Sequence, residues 1–66
     1  MNRFDFSFDE YQRFLERCPF TDDEITIISM RRSGKSVTEI AFKLNISERT
    51  VGRKISSICK KILKEI

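Results

Sequence analysis

Leu44-Asn45-Ile46-Ser47 leaves this chain few folds to choose from, because it is all that separates two stretches of helical period. Before it, Ser36-Val37-Thr38-Glu39 has the Ser-x-x-Glu spacing of a capping box. Val37, Ile40, Ala41 and Leu44 then give a short helix one apolar face. After it, Ser47 caps a second helix through Val51, Ile55, Ile58 and Ile62. Asn45 tolerates the left-handed conformation a tight turn needs, and Ile46 is an apolar residue able to plug the corner. Ala41 is small enough for the second helix to approach. A joint this short forces a steep crossing, which is the helix-turn-helix arrangement, with the second helix projecting from the domain.

The preceding residues carry the same punctuation. Ser7-Phe8-Asp9-Glu10 predicts the start of a first helix with Phe8, Tyr11, Phe14, Leu15 and Cys18 at helical spacing, stopped by Pro19. Thr21-Asp22-Asp23-Glu24 predicts a second, running through Ile25, Ile28 and Met30 to a left-handed end at Gly34. Phe4-Asp5-Phe6-Ser7-Phe8 alternates with period two and reads as a short arm. The expectation is an all-α fold, a small bundle of about four helices containing a helix-turn-helix. Residues 1–19 form the arm and accessory helix and residues 20–66 the helix-turn-helix part of one compact unit.

A 66-residue chain buries only about 60% of the surface its unfolded form exposes, so a second core is excluded. The absence of histidine removes the commonest general base and the commonest metal ligand, so Ser/His/Asp and Cys/His catalysis is excluded and no metal or cofactor is expected. The acidic pairs Asp9-Glu10 and Asp22 with Glu24 fall in helix first turns, where they complement the dipole. Cys18 and Cys59 have no ligand-like spacing and read as reduced, half-buried small hydrophobes. No apolar run approaches the ~18 residues of a membrane span and no leader opens the chain, so the cytoplasm is the expected compartment.

Charge is distributed unevenly. Residues 1–30 hold three Arg against seven carboxylates, a net −4, whereas residues 31–66 hold ten Lys and Arg against three Glu, a net +7. A polyanion-binding face with an acidic back has this form. In the last helix, 100° per residue sets the apolar stripe apart from a second face of Arg49, Gly52, Arg53, Ser56 and Lys60. The six Phe are expected mostly in the core.

Phe20-Thr21-x-x-Glu24, Ile28, Arg32-Ser33-Gly34-Lys35-Ser36-x-x-Glu39-Ile40-Ala41-x-x-Leu44-x-Ile46-Ser47-x-x-Thr50-Val51, Ile58 and Ile62-Leu63 together resemble the LuxR-type (GerE-like) helix-turn-helix domain, and more distantly region 4 of sigma factors. The resemblance implies a sequence-specific regulator of transcription that binds double-stranded DNA with a recognition helix, about residues 48–64, in the major groove. It puts Gly52, Arg53 and Ser56 at base-facing positions, and Arg49 extends that face. Arg53 can donate to the O6 and N7 of a guanine. Ser36, Ser47, Thr50, Lys35, Lys54 and Lys60 are the candidate phosphate contacts, with Arg31 and Arg32 beside them. The family's control by phosphorylation or autoinducers is not implied, and Gly52-Arg53-Lys54 stands where the family tends to place a basic residue and a histidine.

The family usually adds a dimerising helix, so pairing is expected from elsewhere. Ile58, Ile62 and Ile66 follow a seam-like spacing and, with the N-terminal helix, are the expected homodimer interface. The alternative function is a small protein-interaction module that docks on RNA polymerase or another regulator through its acidic, aromatic N-terminal part.

Overall fold

The computed structural model describes residue 4 and residues 6–65, and among these it shows four helices and no strand. They are α1 (Phe8–Arg17), α2 (Asp22–Arg32), α3 (Val37–Leu44) and α4 (Glu48–Glu65). Each starts where a side chain satisfies an amide that the helix itself leaves unbonded. Ser7, Thr21 and Ser36 each accept from the amide three residues on, and Glu10, Glu24 and Glu39 accept in return from the cap amide. The Ser47 hydroxyl accepts from the Thr50 amide at 3.1 Å.

Their ends are equally local. Cys18, ahead of Pro19, is extended at φ −93°, ψ 136° and closes α1. Gly34, at φ +86°, turns the chain out of α2 while the Lys35 amide donates to the Met30 carbonyl at 3.0 Å. Asn45 does the same after α3 at φ 58°, ψ 45°, with the Ile46 amide donating to the Ala41 carbonyl at 3.0 Å. The helix-turn-helix is thus two helices joined at one left-handed residue.

Helix α4 packs on each of the other three helices. The core consists of Phe4, Ile27, Ile28, Ile40, Ala41, Val51 and Ile58, with Phe6, Tyr11, Phe20, Leu44, Ile46, Ile55 and Ile62 packed against it. Four details correct the sequence-based expectations. The N-terminal segment is not a free arm: Phe4 is 1% exposed, and Arg32 Nη1 donates to the carbonyls of Phe4 and Phe6 at 3.1 and 2.6 Å. The Arg32 guanidinium also lies 4.9 Å from the Phe6 ring centroid and 4.7 Å from that of Tyr11.

Second, Ile27 rather than Ile25 faces inward from α2, because the buried stripe is Glu24, Ile27 and Ile28 and one of its positions carries a charge. Ile25 is exposed. Third, Phe8 and Phe42 lie on the surface, outside the core expected for most of the Phe set. Fourth, Ile58 is completely buried among residues of its own chain and is unavailable to a second copy. Ile62 is half-buried against the same core, and Ile66 lies outside the described residues.

Glu24 is the only buried charged side chain among the described residues, at 4% exposed. Lys61 Nζ donates to its Oε1 at 2.6 Å and to the Pro19 carbonyl at 3.0 Å, tying the α1–α2 corner to the late turns of α4. Cys18 Sγ donates to the Lys61 carbonyl at 3.6 Å, and burial pushes that thiol up from its ordinary pKa. Both cysteines are free thiols. For Glu24, burial raises the carboxyl pKa, but hydrogen bonds from Lys61 and the Thr21 amide and the Lys61 charge outweigh it and hold it below the ordinary 4.5.

Two expectations follow from this packing. Phe4→Ala should destabilise the chain by about 3–5 kcal/mol, as for other buried Phe truncations, read from the urea midpoint at constant slope. Because the folded pKa of Glu24 is depressed, its contribution is present above pH 4.5 and is lost as pH falls through the folded value. Glu24→Gln should therefore cost about 2 kcal/mol at pH 7, and the gap to wild type should close on acidification, as measured by thermal melts across pH.

Candidate nucleic-acid interface

The side of α4 turned away from Val51 and Ile58 carries Arg49, Gly52, Arg53, Ser56 and Lys60, and all five are exposed. The helical period puts them together because 49, 53, 56 and 60 are three or four residues apart. Among the described residues, Arg49, Arg53 and Lys60 take part in none of the chain's ion pairs, which are Lys35 with Glu39, Lys54 with Asp23 and Lys61 with Glu24. Three cations thus stand on one outward face with their charge uncompensated. Gly52 sits among them in mid-helix, and a Cβ built there would meet nothing within 4 Å. Intramolecular packing therefore does not require glycine at this position, whereas Gly34 needs it for its positive φ.

The expected phosphate contacts divide into two groups. Lys60 and the Ser47 hydroxyl are exposed at opposite ends of the α4 face. Thr50 is half-buried, with its hydroxyl 2.9 Å from that of Ser47. Lys54 leans toward α2 with Nζ 3.6 Å from Asp23, and Lys35 lies 3.8 Å from Glu39. Ser36 is engaged with Glu39 through both its amide and its hydroxyl. The Arg31-Arg32-Lys35 cluster is not offered as a set: Arg31 Nη1 donates to the Lys35 carbonyl at 3.0 Å, Arg32 donates to the Phe4 and Phe6 carbonyls, and Lys35 stays exposed beside Glu39.

Two hollows border the face. A groove of about 370 Å³ between the start of α2 and α4 is lined by Thr21, Glu24, Thr50, Arg53, Lys54, Ser57 and Lys61. On the other flank, an open hollow of about 640 Å³ runs along the helix-turn-helix corner past Thr38, Phe42, Asn45, Ile46 and Glu48. The role of Lys61 escaped the sequence reading because its partner Glu24 is 37 residues away and already explained as a capping carboxylate. Glu48 escaped it as well: Thr38 Oγ1 donates to its Oε1 at 3.0 Å, a bond across the turn that no periodicity announces.

Among the described residues no three His, Cys, Asp or Glu side chains converge to hold a metal ion, and no helix is long and apolar enough to cross a membrane. The N-terminal aromatics, offered above as a docking surface for a protein partner, are mostly turned inward. Phe4 and Phe14 are buried and Phe6 packs edge-on against both, which leaves Phe8 exposed.

A match to a protein-family model spans residues 19–63, which is 45 of the 66 residues, and takes in α2, α3 and nearly all of α4; the family is described as bacterial regulatory proteins, luxR family. Phe4 and α1 fall before it. Neither a curated protein nor a solved structure matches the chain. With its helix-turn-helix inside the matched span, the chain belongs to the LuxR family of DNA-binding transcription regulators.

Proposed function

We propose that this protein is a sequence-specific regulator that lays α4 in the major groove of duplex DNA. The observation that carries this reading is the exposed face of α4, where Arg49, Arg53 and Lys60 have no carboxylate partner among the described residues and Gly52 exposes bare backbone between them. Arg53 reads a guanine through O6 and N7, Ser56 donates or accepts beside it, and Arg49 reaches the groove edge. Lys60, Ser47 and Thr50 hold phosphates, joined by Ser36 at the start of α3. Lys35 and Lys54 join them by leaving Glu39 and Asp23. Those ion pairs are exposed and worth about 0–1 kcal/mol, less than a charge-assisted bond to phosphate returns.

Residues 20–66 are the DNA-binding part in this reading, residues 1–19 are accessory to it, and the work is done in the cytoplasm. Two copies pair on DNA, with exposed Leu63 and the outer edge of Ile62 in place of a seam centred on Ile58. The competing reading, docking on RNA polymerase through the N-terminal part, loses Phe4 and Phe14 to the core and keeps Phe8 with the exposed Asp9, Glu10 and Glu16 of α1.

Mobility shifts of random duplexes test the DNA reading directly. A log-log salt slope of roughly −4 to −6 is expected for a handful of phosphate contacts, and a flat response would defeat the reading. Arg53→Ala should cost about 1–3 kcal/mol on the preferred site and relax discrimination at one base pair, whereas Lys60→Ala should weaken all duplexes alike and reduce the slope by about one.

Gly52→Ala separates folding from binding. Because nothing opposes the added methyl, the fold should gain about 1 kcal/mol, measured by urea unfolding. Affinity for DNA should fall in the same variant as the methyl meets the groove floor. Unchanged affinity would show that α4 does not approach the bases there.

A further inference from the structure

Glu48 is an anomaly of charge. It is one of three carboxylates against ten Lys and Arg in residues 31–66, and it stands at the first position of the helix that we place against DNA. In helix-turn-helix proteins the N-terminal residues of that helix meet base edges. Dipole complementation alone would account for a first-turn carboxylate, but not for where this one points. Glu10, Glu24 and Glu39 bend back onto their own helix starts, whereas Glu48 reaches across the turn to α3 and accepts from Thr38 Oγ1 at 3.0 Å.

That bond fixes Oε1 and aims the carboxylate, leaving Oε2 as a further acceptor. The way to it is clear. A helical side chain leans over the turn that precedes it, so a side chain at position 52 would cover residue 48. Position 52 is glycine, with nothing within 4 Å of where its Cβ would be, and the 640 Å³ hollow opens on the far flank of Glu48.

A carboxylate among phosphates is repelled unless it accepts a hydrogen bond there. The donors in the major groove are the exocyclic amino groups of cytosine and adenine. Adenine presents the N7 acceptor beside its amino group, and an ionised carboxylate has no proton to offer it; cytosine presents the N4 donor without that acceptor. We infer that Glu48 is a specificity-determining residue that accepts from the N4 amino group of a cytosine, with Thr38 as its positioning residue. The inference rests on α4 occupying the major groove.

Selection from a randomised duplex library with the full chain, alongside Glu48→Ala, Glu48→Gln and Thr38→Val, tests it. Wild type should enrich cytosine at one position distinct from the pair that Arg53→Ala relaxes. Glu48→Ala should lose about tenfold of preference at that position and keep the rest. Glu48→Gln should turn the preference toward adenine, because an amide matches N6 and N7 together. Thr38→Val should weaken the cytosine preference alone, an effect that a merely structural role would not confine to one base pair.

An unchanged preference in Glu48→Ala and Glu48→Gln would overturn the inference while leaving the DNA reading intact. So would uniformly tighter binding to every duplex, which would show that Glu48 only repels phosphate. A wild type that selects no duplex would remove the DNA reading and the inference with it. Should Glu48→Ala lose its circular-dichroism melt, the near-isosteric Glu48→Gln decides alone.

Discussion

The angle between α3 and α4 hangs on one residue in a conformation that L-amino acids avoid. Asn45, at φ 58°, lets the Ile46 amide turn back to the Ala41 carbonyl, and the chain leaves α3 in a new direction within two residues. Left-handed backbone costs roughly 1–2 kcal/mol for most side chains and less for Asn, whose polar group can bond locally. The burial of Ile40, Val51 and Ile58 against one another more than offsets it, at ~1.5–3 kcal/mol for each such side chain. Without this corner α4 would continue α3, its charged face would point elsewhere, and the core would have no third wall.

Features governed by neighbours three to five residues apart could be read from the residues alone. The capping boxes at Ser7, Thr21 and Ser36, the left-handed ends at Gly34 and Asn45, and the stop before Pro19 are of that kind. The exposed face of α4 was legible for the same reason, since a fixed 100° per residue separates it from the apolar stripe. What escaped depends on partners far away in the chain. Phe4 is drawn in by Arg32, 28 residues on, and the inward stripe of α2 was misread because its Glu24 position is neutralised by Lys61. Period-two alternation at Phe4-Asp5-Phe6 holds no information about either.

Cations in this chain are sorted by what they face. Arg32 and Lys61 act inward, each satisfying backbone carbonyls and lying against an aromatic ring, so their donors are engaged within the fold. Lys35 and Lys54 are tethered loosely at the surface. Arg49, Arg53 and Lys60 face solvent from one side of one helix. A net charge for residues 31–66 therefore overstates what a polyanion meets, and the usable part is concentrated on α4.

The docking of Phe4 also has a consequence for how the chain is made. Phe4 is made before the partners it is buried with: its core cluster includes Ile58 on α4, and the guanidinium that clasps its carbonyl lies at the end of α2. Phe4 must wait, unburied, until α4 has been synthesised. Such long-range closure slows folding relative to purely local helix pairing, and it makes completion of the core a late and nearly all-or-none event. A helix-turn-helix that could have assembled piecemeal is thereby tied to a residue well outside it in the sequence.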